Sequence, residues 1–130
     1  MRSRLTASVG LAGLAALAVV GCGDTGGGDD PPVAGGCKVA EGGQVTLVAD
    51  DVRWDTDCLE AEPGALTIVV DNRDDGVNHN VHLPDHPTSP ATELATGPSR
   101  QELVVEVEAG AYEFICDIHP NMLGTLTVST

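Results

Sequence analysis

Three side chains that bind soft metals lie within seven residues near the end of the chain. Cys116, His119 and Met122 are spaced Cys-x2-His-x2-Met. Thiolate and thioether sulfur favour soft metals, imidazole suits copper, and two His with one Cys and a weak axial Met make an electron-transfer copper site. The second imidazole must come from elsewhere, and residues 78–82, Asn-His-Asn-Val-His, offer two. The spacing therefore predicts a copper site built from two segments.

The two histidines of the upstream segment, His79 and His82, lie an odd number of residues apart. On a regular strand His79 and His82 point to opposite faces, so they cannot both bind one ion. We predict His79 as the ligand and His82 as a solvated or supporting side chain, with the exchange of these roles as the alternative. His86, in a proline-rich stretch, is expected to be exposed.

The elements that must position these residues show a period of two. Apolar and polar residues alternate in five segments, which is typical of half-buried strands. The apolar positions are Val45, Leu47, Ala49; Leu66, Ile68, Val70; Leu103, Val105, Val107; Tyr112, Phe114; and Leu126, Val128. We predict an all-β fold, a Greek-key antiparallel β-sandwich of about seven to eight strands. Residues 84–101 contain four prolines and are predicted to cross between the sheets, with one helical turn near residues 91–95.

The start of the chain has the pattern of an export signal. Arg2 and Arg4 precede an apolar stretch that is shorter than a membrane-spanning helix and ends at Val-Val-Gly before Cys22. This ending resembles a bacterial lipobox, in which the cysteine becomes the lipidated N-terminus. The alternative is an ordinary secreted protein with a stray cysteine.

The predicted organisation has three parts. Residues 1–21 are a lipoprotein signal peptide, residues 22–36 a flexible Gly, Asp and Pro linker carrying the lipid anchor, and residues 37–130 the folded domain. The protein is then expected to be exported and held at the outer face of the cytoplasmic membrane, on the periplasmic or cell-surface side.

The ligand region resembles the cupredoxins, the small blue copper proteins. The resemblance rests on Tyr-x-Phe-x-Cys-x-x-His-Pro-x-Met at residues 112–122 and on His-Asn-Val at residues 79–81, and it extends over residues 38–130. The short ligand loop is similar to that of amicyanin, and a lipid-anchored form is similar to the halocyanins. The resemblance implies one copper per chain, cycling between Cu(I) and Cu(II). It implies that His79, Cys116 and His119 are equatorial ligands and Met122 the axial one.

The resemblance also assigns supporting residues. Asn80 matches the family residue that links the two ligand loops, partly through the residue after the cysteine. That residue is commonly Ser or Thr, but here it is Asp117. An acid beside a copper thiolate would stabilise Cu(II) and lower the reduction potential unless solvent screens it.

The remaining cysteines can be assigned in turn. If Cys22 is lipidated and Cys116 binds metal, Cys37 and Cys58 remain. In an exported protein two such thiols usually pair, so we predict a disulfide, with two free buried thiols as the alternative.

The net charge limits the possible partners. Twenty acids against six bases give −14, and loss of Arg2 and Arg4 leaves 4 bases against 20 acids, or −16. Nucleic acid is not expected as a partner, because its phosphates are bound through Lys and Arg clusters. A redox protein with a basic face, such as a c-type cytochrome or a copper enzyme, fits this charge; solubility or adaptation to salt is the alternative.

The ligand set indicates a carrier and not an enzyme. A closed set of two His, one Cys and one Met leaves no open position for substrate, and four His in total cannot build a trinuclear copper cluster. We expect a one-electron carrier, and the resemblance implies that the electrons pass through His119. A copper storage or delivery protein is the alternative, and a purely structural sandwich would leave the clustered donors without a reason.

Overall fold

The structure describes residues 36–130, which form nine β-strands and no helix. The structure is a computed structural model. The predicted signal peptide, the predicted lipidation site Cys22 and all of the predicted linker except Gly36 lie outside these residues. Within this part of the chain, no helix has the length and hydropathy that a membrane crossing requires.

The strands range from two to ten residues in length. They are β1 Lys38–Val39, β2 Gln44–Ala49, β3 Cys58–Ala61, β4 Gly64–Asn72, β5 Asn78–His79, β6 Ala95–Thr96, β7 Ser99–Val107, β8 Gly110–Cys116 and β9 His119–Val128. They form a four-stranded sheet in the order β1-β3-β9-β8, a three-stranded sheet in the order β2-β4-β7 and the pair β5-β6.

The predicted all-β sandwich is confirmed, but its sheets are of mixed direction where antiparallel sheets were predicted. The β4–β7 and β8–β9 pairs are antiparallel, whereas β1–β3, β2–β4 and β3–β9 are parallel. The chain alternates between the sheets from β1 to β4, so neighbours within a sheet are not joined by a hairpin turn. Without that turn nothing forces them to run antiparallel.

The core lies between the two larger sheets and consists of the alternating apolar residues. All of the positions predicted to face inward are buried except Tyr112, which packs against the core with one side exposed. Phe114 is fully buried and lies opposite Gly124 across β8 and β9. A Cβ atom at Gly124 would run into the Phe114 ring, so this close approach requires glycine.

The proline-rich crossover contains no helical turn, and this prediction is wrong. Ala91 forms a β-bridge with His82, and β6 pairs with β5. The Thr92 N–H also donates to the Val81 carbonyl at 2.9 Å. The backbone N–H and C=O groups that would pair within a helical turn are instead paired with residues 78–82.

The predicted disulfide is present between Cys37 and Cys58, whose Cα atoms lie 4.6 Å apart. It joins the residue before β1 to the first residue of β3, so the alternative of two free thiols is wrong. A cross-link over a separation of 21 residues typically stabilises a fold by about 3 kcal/mol. Cys116 is the free cysteine of the described residues, and it is buried.

Candidate metal centre

The β8–β9 hairpin carries three of the predicted ligands. Cys116 is the last residue of β8, residues 117–118 form the turn, and His119 begins β9 and pairs with Cys116. Alternate residues of a strand share a face. Cys116 therefore continues the buried face of Phe114, and Met122 lies on the buried face of β9.

His79, in the short strand β5, completes a compact group of donors. Its Nδ1 lies 3.9 Å from the Cys116 Sγ, and the His119 Nδ1 lies 3.5 Å from the same sulfur. One donor atom from each of the three residues lies within 4.8 Å of the others. Two imidazole nitrogens and one sulfur at this spacing fit a trigonal site for one soft or borderline metal ion.

The donors lie in an apolar pocket. Cys116, Met122 and Ala49 are buried together, and Val52 and Trp54 pack against them. The Trp54 ring centroid is 6.4 Å from that of His79, and the buried indole N–H has no hydrogen-bond partner among the described residues. Aromatic and aliphatic groups thus exclude water from one side of the donor cluster, which raises the strength of electrostatic interactions there.

Asp74 holds the ring of His79. Its Oδ2 lies 2.7 Å from the His79 Nε2, and the two side chains are 10% and 0% exposed. A carboxylate only accepts hydrogen bonds, so Nε2 carries the proton of this contact. In the neutral imidazole the lone pair is then on Nδ1, the atom that faces the Cys116 sulfur.

The same carboxylate also fixes a strained loop. Asp51 and Val52 have φ angles of 53° and 54°, which few residues other than glycine adopt. The Asp74 carboxylate accepts the N–H groups of Asp51 at 2.6 Å and of Val52 at 2.9 Å. The loop is joined to the β8–β9 hairpin by Asn121, whose Nδ2 donates to the Val52 carbonyl at 2.7 Å.

Electrostatics keep these groups in the charge states that a metal site needs. Burial alone raises the pKa of Asp74, but hydrogen bonds from Val52, His79 and Asp51 outweigh it, so the pKa lies below its usual value of 3.8. Burial, and then the nearby His79, lower the pKa of His119 from its usual 6.5, against a smaller opposing effect of Asp74. His119 is therefore a neutral nitrogen donor near pH 7.

A second tie joins the two ligand segments at Asn80 and Asp117. The Asn80 Nδ2 donates to the Asp117 Oδ2 at 2.7 Å, and the Asp117 N–H donates to the Asn80 Oδ1 at 2.9 Å. Asn80 is buried. These two bonds connect the residue after His79 to the residue after Cys116.

The two other histidines lie away from the donor cluster. His82 contacts Asp117 and Ser89 through its two ring nitrogens. His86 was expected to be exposed, but it is partly buried, 5.6 Å from the Tyr112 ring between centroids, and its Nε2 lies 2.8 Å from the Glu106 carbonyl.

Sequence reasoning missed Asp74 and Asn121. Asp74 was not singled out, although an acid a few residues before a predicted histidine ligand is a reasonable signal for a carboxylate partner. Asn121 lies between two predicted ligands, but its partner at Val52 is 69 residues away. No local pattern indicates a contact over that separation.

The role of Asp74 can be tested on the metal-free protein. Replacing Asp74 by Asn should lower the free energy of unfolding near neutral pH by about 1–3 kcal/mol, because the N–H groups of His79, Val52 and Asp51 lose a charged acceptor. Folding lowers the pKa of Asp74, so its contribution is full above the unfolded pKa and is lost as the pH falls through the folded one. Denaturant unfolding curves of the two proteins should therefore converge in acid. Asp75→Asn, which changes an exposed neighbour, should have little effect; an Asp74→Asn deficit that does not shrink in acid would contradict the assignment.

Comparison with known proteins identifies the family. A model of the cupredoxin-like domain matches residues 31–128, and no curated protein matches significantly. A reduced amicyanin mutant aligns with a TM-score of 0.55 and 24% identity over 69% of this chain and 86% of that chain. Another amicyanin mutant, in its reduced Cu(I) form, gives 0.55 and 26% over 69% and 85%. Reduced auracyanin from the photosynthetic bacterium Roseiflexus castenholzii gives 0.61 and 16% over 70% and 100%. The family match covers most of the chain, which therefore belongs to the cupredoxin-like domain family.

Proposed function

We propose that the protein is a mononuclear type 1 copper protein that carries single electrons. The observation that carries the proposal is the convergence of His79, Cys116 and His119, whose donor atoms lie within 4.8 Å of one another. These residues belong to a cupredoxin-like domain. Met122, 1% exposed in the same apolar cluster as Cys116, is the candidate weak axial ligand.

The donor chemistry fits copper. A thiolate and a thioether suit Cu(I), imidazole suits both oxidation states, and a bound copper would supply a one-electron Cu(I)/Cu(II) couple. The protein's part is to hold the donors: Asp74 orients His79, and Asn80 ties the upstream segment to the turn after Cys116. A site held in this way leaves little room for rearrangement or for a substrate, which supports a carrier and not an enzyme.

His119 is the proposed point of electron exchange. It is partly exposed, and two large apolar side chains of the same hairpin, Ile118 at 46% and Leu123 at 52%, are also exposed. Apolar side chains around the proposed ligand His119 would exclude water from the contact with a partner, which favours close approach of a second redox centre. The charge of −14 for the whole chain favours a partner with a basic face, such as a c-type cytochrome or a copper enzyme, and disfavours nucleic acid.

The structural relatives support the same function. The amicyanin structure cited above is described as a Cu(I) form. This likeness, together with the donor set, favours copper over the other metals that imidazole and thiolate can bind.

We place the protein at the outer face of the cytoplasmic membrane, attached through Cys22. The support is the sequence pattern of a lipoprotein signal before Cys22 and the disulfide between Cys37 and Cys58, which is typical of an exported protein. Cys22→Ala should leave the precursor uncleaved and unlipidated. Mass spectrometry of a membrane fraction checks this, and a processed, lipidated variant would refute the anchor.

Copper binding should be visible directly. Protein produced without its signal peptide should bind one copper and show an intense thiolate-to-copper absorption band. Cys116→Ala should remove the band, because the absorption requires the thiolate, and His79→Ala should abolish it or change it to that of another copper geometry. His82→Ala is the matched control and should keep the band. A coloured Cys116→Ala protein, or loss of colour on changing His82 alone, would show that the ligand set is wrong.

The rival function, storage or delivery of copper, makes a different kinetic prediction. Stopped-flow mixing of the reduced protein with an oxidised c-type cytochrome should show electron transfer without copper transfer, and the rate should fall as salt screens the acidic surface. Met122→Leu should keep the colour and raise the reduction potential, because loss of the axial sulfur costs the Cu(II) state more than the Cu(I) state. Copper transfer to an acceptor with no reversible redox wave would instead identify a delivery protein.

A further inference from the structure

Asp117 places a carboxylate next in the chain to the predicted thiolate ligand, and a histidine outside the ligand set binds it. The His82 Nδ1 lies 2.7 Å from the Asp117 Oδ1, while Asn80 occupies the other oxygen at 2.7 Å. The side chains of His82 and Asp117 are 22% and 41% exposed, so solvent reaches the pair. Asp117 is thus held from both sides, with His82 on the outer one.

His82 is itself firmly placed. Its N–H donates to the Ile115 carbonyl and its carbonyl accepts the Ile115 N–H, both at 3.0 Å. Its Nε2 lies 2.8 Å from the Ser89 Oγ in the crossover. The side chain therefore lies between β8 and the crossover, and hydrogen bonds fix its two ring nitrogens.

Ser89, His82 and Asp117 lie in the order of a hydrolytic triad, but the surroundings do not favour acyl transfer. Such a site needs N–H groups aimed at the developing oxyanion. The Ser89 N–H donates to the His86 carbonyl at 2.8 Å, the Thr88 N–H donates to the His86 ring at 3.2 Å, and Pro90 has no N–H. The donors next to Ser89 are thus occupied or absent, and the histidine requires another explanation.

The hydrogen bonds show which nitrogen of His82 can change its protonation. A carboxylate only accepts, so Nδ1 carries a proton toward Asp117 in both charge states. Nε2 is then the atom that gains or loses a proton. The Ser89 hydroxyl can donate to a bare Nε2 or accept from a protonated one. Proton uptake at His82 therefore needs only a rotation of that hydroxyl.

We propose that His82 is a positioning residue that sets the reduction potential of the centre through Asp117 and takes up a proton when the centre gains an electron. This inference rests on the proposed function. The electron comes from the redox partner and the proton from solvent at Nε2, so the coupled step leaves the total charge of the site unchanged. The hydrogen bonds from Asn80 and then from His82 lower the pKa of Asp117, which favours its ionised form.

The direction of the coupling follows from charge. A reduced centre carries one positive charge less, so it favours a protonated His82 more than an oxidised centre does. By linkage, a proton on His82 favours the reduced state to the same extent. The potential should therefore be higher at low pH and should fall as the pH rises through the titration of His82.

Other ionisable groups belong to the segments packed against His82. Apart from Asp117 in the turn, they are Asp85, His86 and Glu93 in or next to the crossover and Glu113 on β8. The three acids are exposed, and among the described residues no hydrogen bond joins any of the four to His82. Their effects are more strongly screened by solvent than that of Asp117.

Voltammetry against pH on the copper-loaded protein tests the proposal. The wild-type potential should fall with rising pH by an amount equivalent to about tenfold tighter proton binding at His82 in the reduced form. His82→Gln should keep the absorption band but lose this dependence and stay at the high-pH level of the wild type. Asp117→Asn should raise the potential at high pH and weaken the dependence. His86→Gln, the matched control, should behave as the wild type.

A second measurement tests the contact between His82 and Asp117 in the absence of copper. In the metal-free protein, an NMR titration of the His82 ring should show several-fold weaker proton binding in Asp117→Asn than in the wild type, because the carboxylate stabilises the imidazolium. An unchanged titration, or a pH profile of the potential that survives His82→Gln, would overturn the proposal. Failure of the proposed function is distinguishable, since the absorption band would then be missing from the wild type itself.

Discussion

The carboxylate of Asp74 holds the donor cluster to the rest of the sandwich. It accepts hydrogen bonds from two consecutive N–H groups of the loop at Asp51 and Val52 and from the ring of His79. Two residues other than glycine in the left-handed region cost roughly 1–3 kcal/mol each. Hydrogen bonds to a charged acceptor contribute about 1.5–3 kcal/mol each and so offset that cost. The loop then reaches the ligand hairpin through Asn121, so a single anion orients a donor and fixes the loop that packs over it.

The donors are thus positioned by the protein before any metal binds. His79 is fixed through Asp74, its neighbour Asn80 is bonded to Asp117, and the backbone of His82 pairs with that of Ile115. The upstream segment is therefore tied to the hairpin by three separate routes. A metal bound between supports of this kind cannot easily impose its preferred geometry on them. Such resistance favours electron transfer, because the two oxidation states then require nearly the same arrangement of ligands.

The sequence predicted the parts of the fold that depend on local alternation. Residues such as Leu47, Ile68 and Val105 are buried because a strand exposes one face to the core. The crossover was mispredicted near residues 91–95, because its backbone pairs with residues 79–82, a contact between distant segments. The parallel pairs were missed for the same reason, since direction is local only where a hairpin turn joins the strands.

For the site, the spacing of Cys116, His119 and Met122 was informative because the three lie on one hairpin. Among the supporting contacts, the tie between Asn80 and Asp117 was expected from the family resemblance. The contacts of Asp74 with Asp51 and of His82 with Asp117, 35 residues away, were not expected, because they join segments that are distant in sequence. Asp117 itself was recognised as an unusual acid beside a thiolate, which would lower the reduction potential unless solvent screens it. The structure shows that its partner is His82, which was expected as a solvated or supporting side chain but not as a contact of Asp117.

The hairpin of β8 and β9 fills the core with the same face that holds the donors. Phe114 and Cys116 are neighbours on that face of β8, and Met122 and Gly124 are neighbours on that of β9. A change in core volume at Phe114 or Gly124 displaces the backbone that sets the spacing of the donors two residues away. An inward substitution on this face therefore affects both the packing of the core and the positions of the donors. Outward positions such as Glu113 and Thr125 are free of that constraint and can evolve for recognition alone.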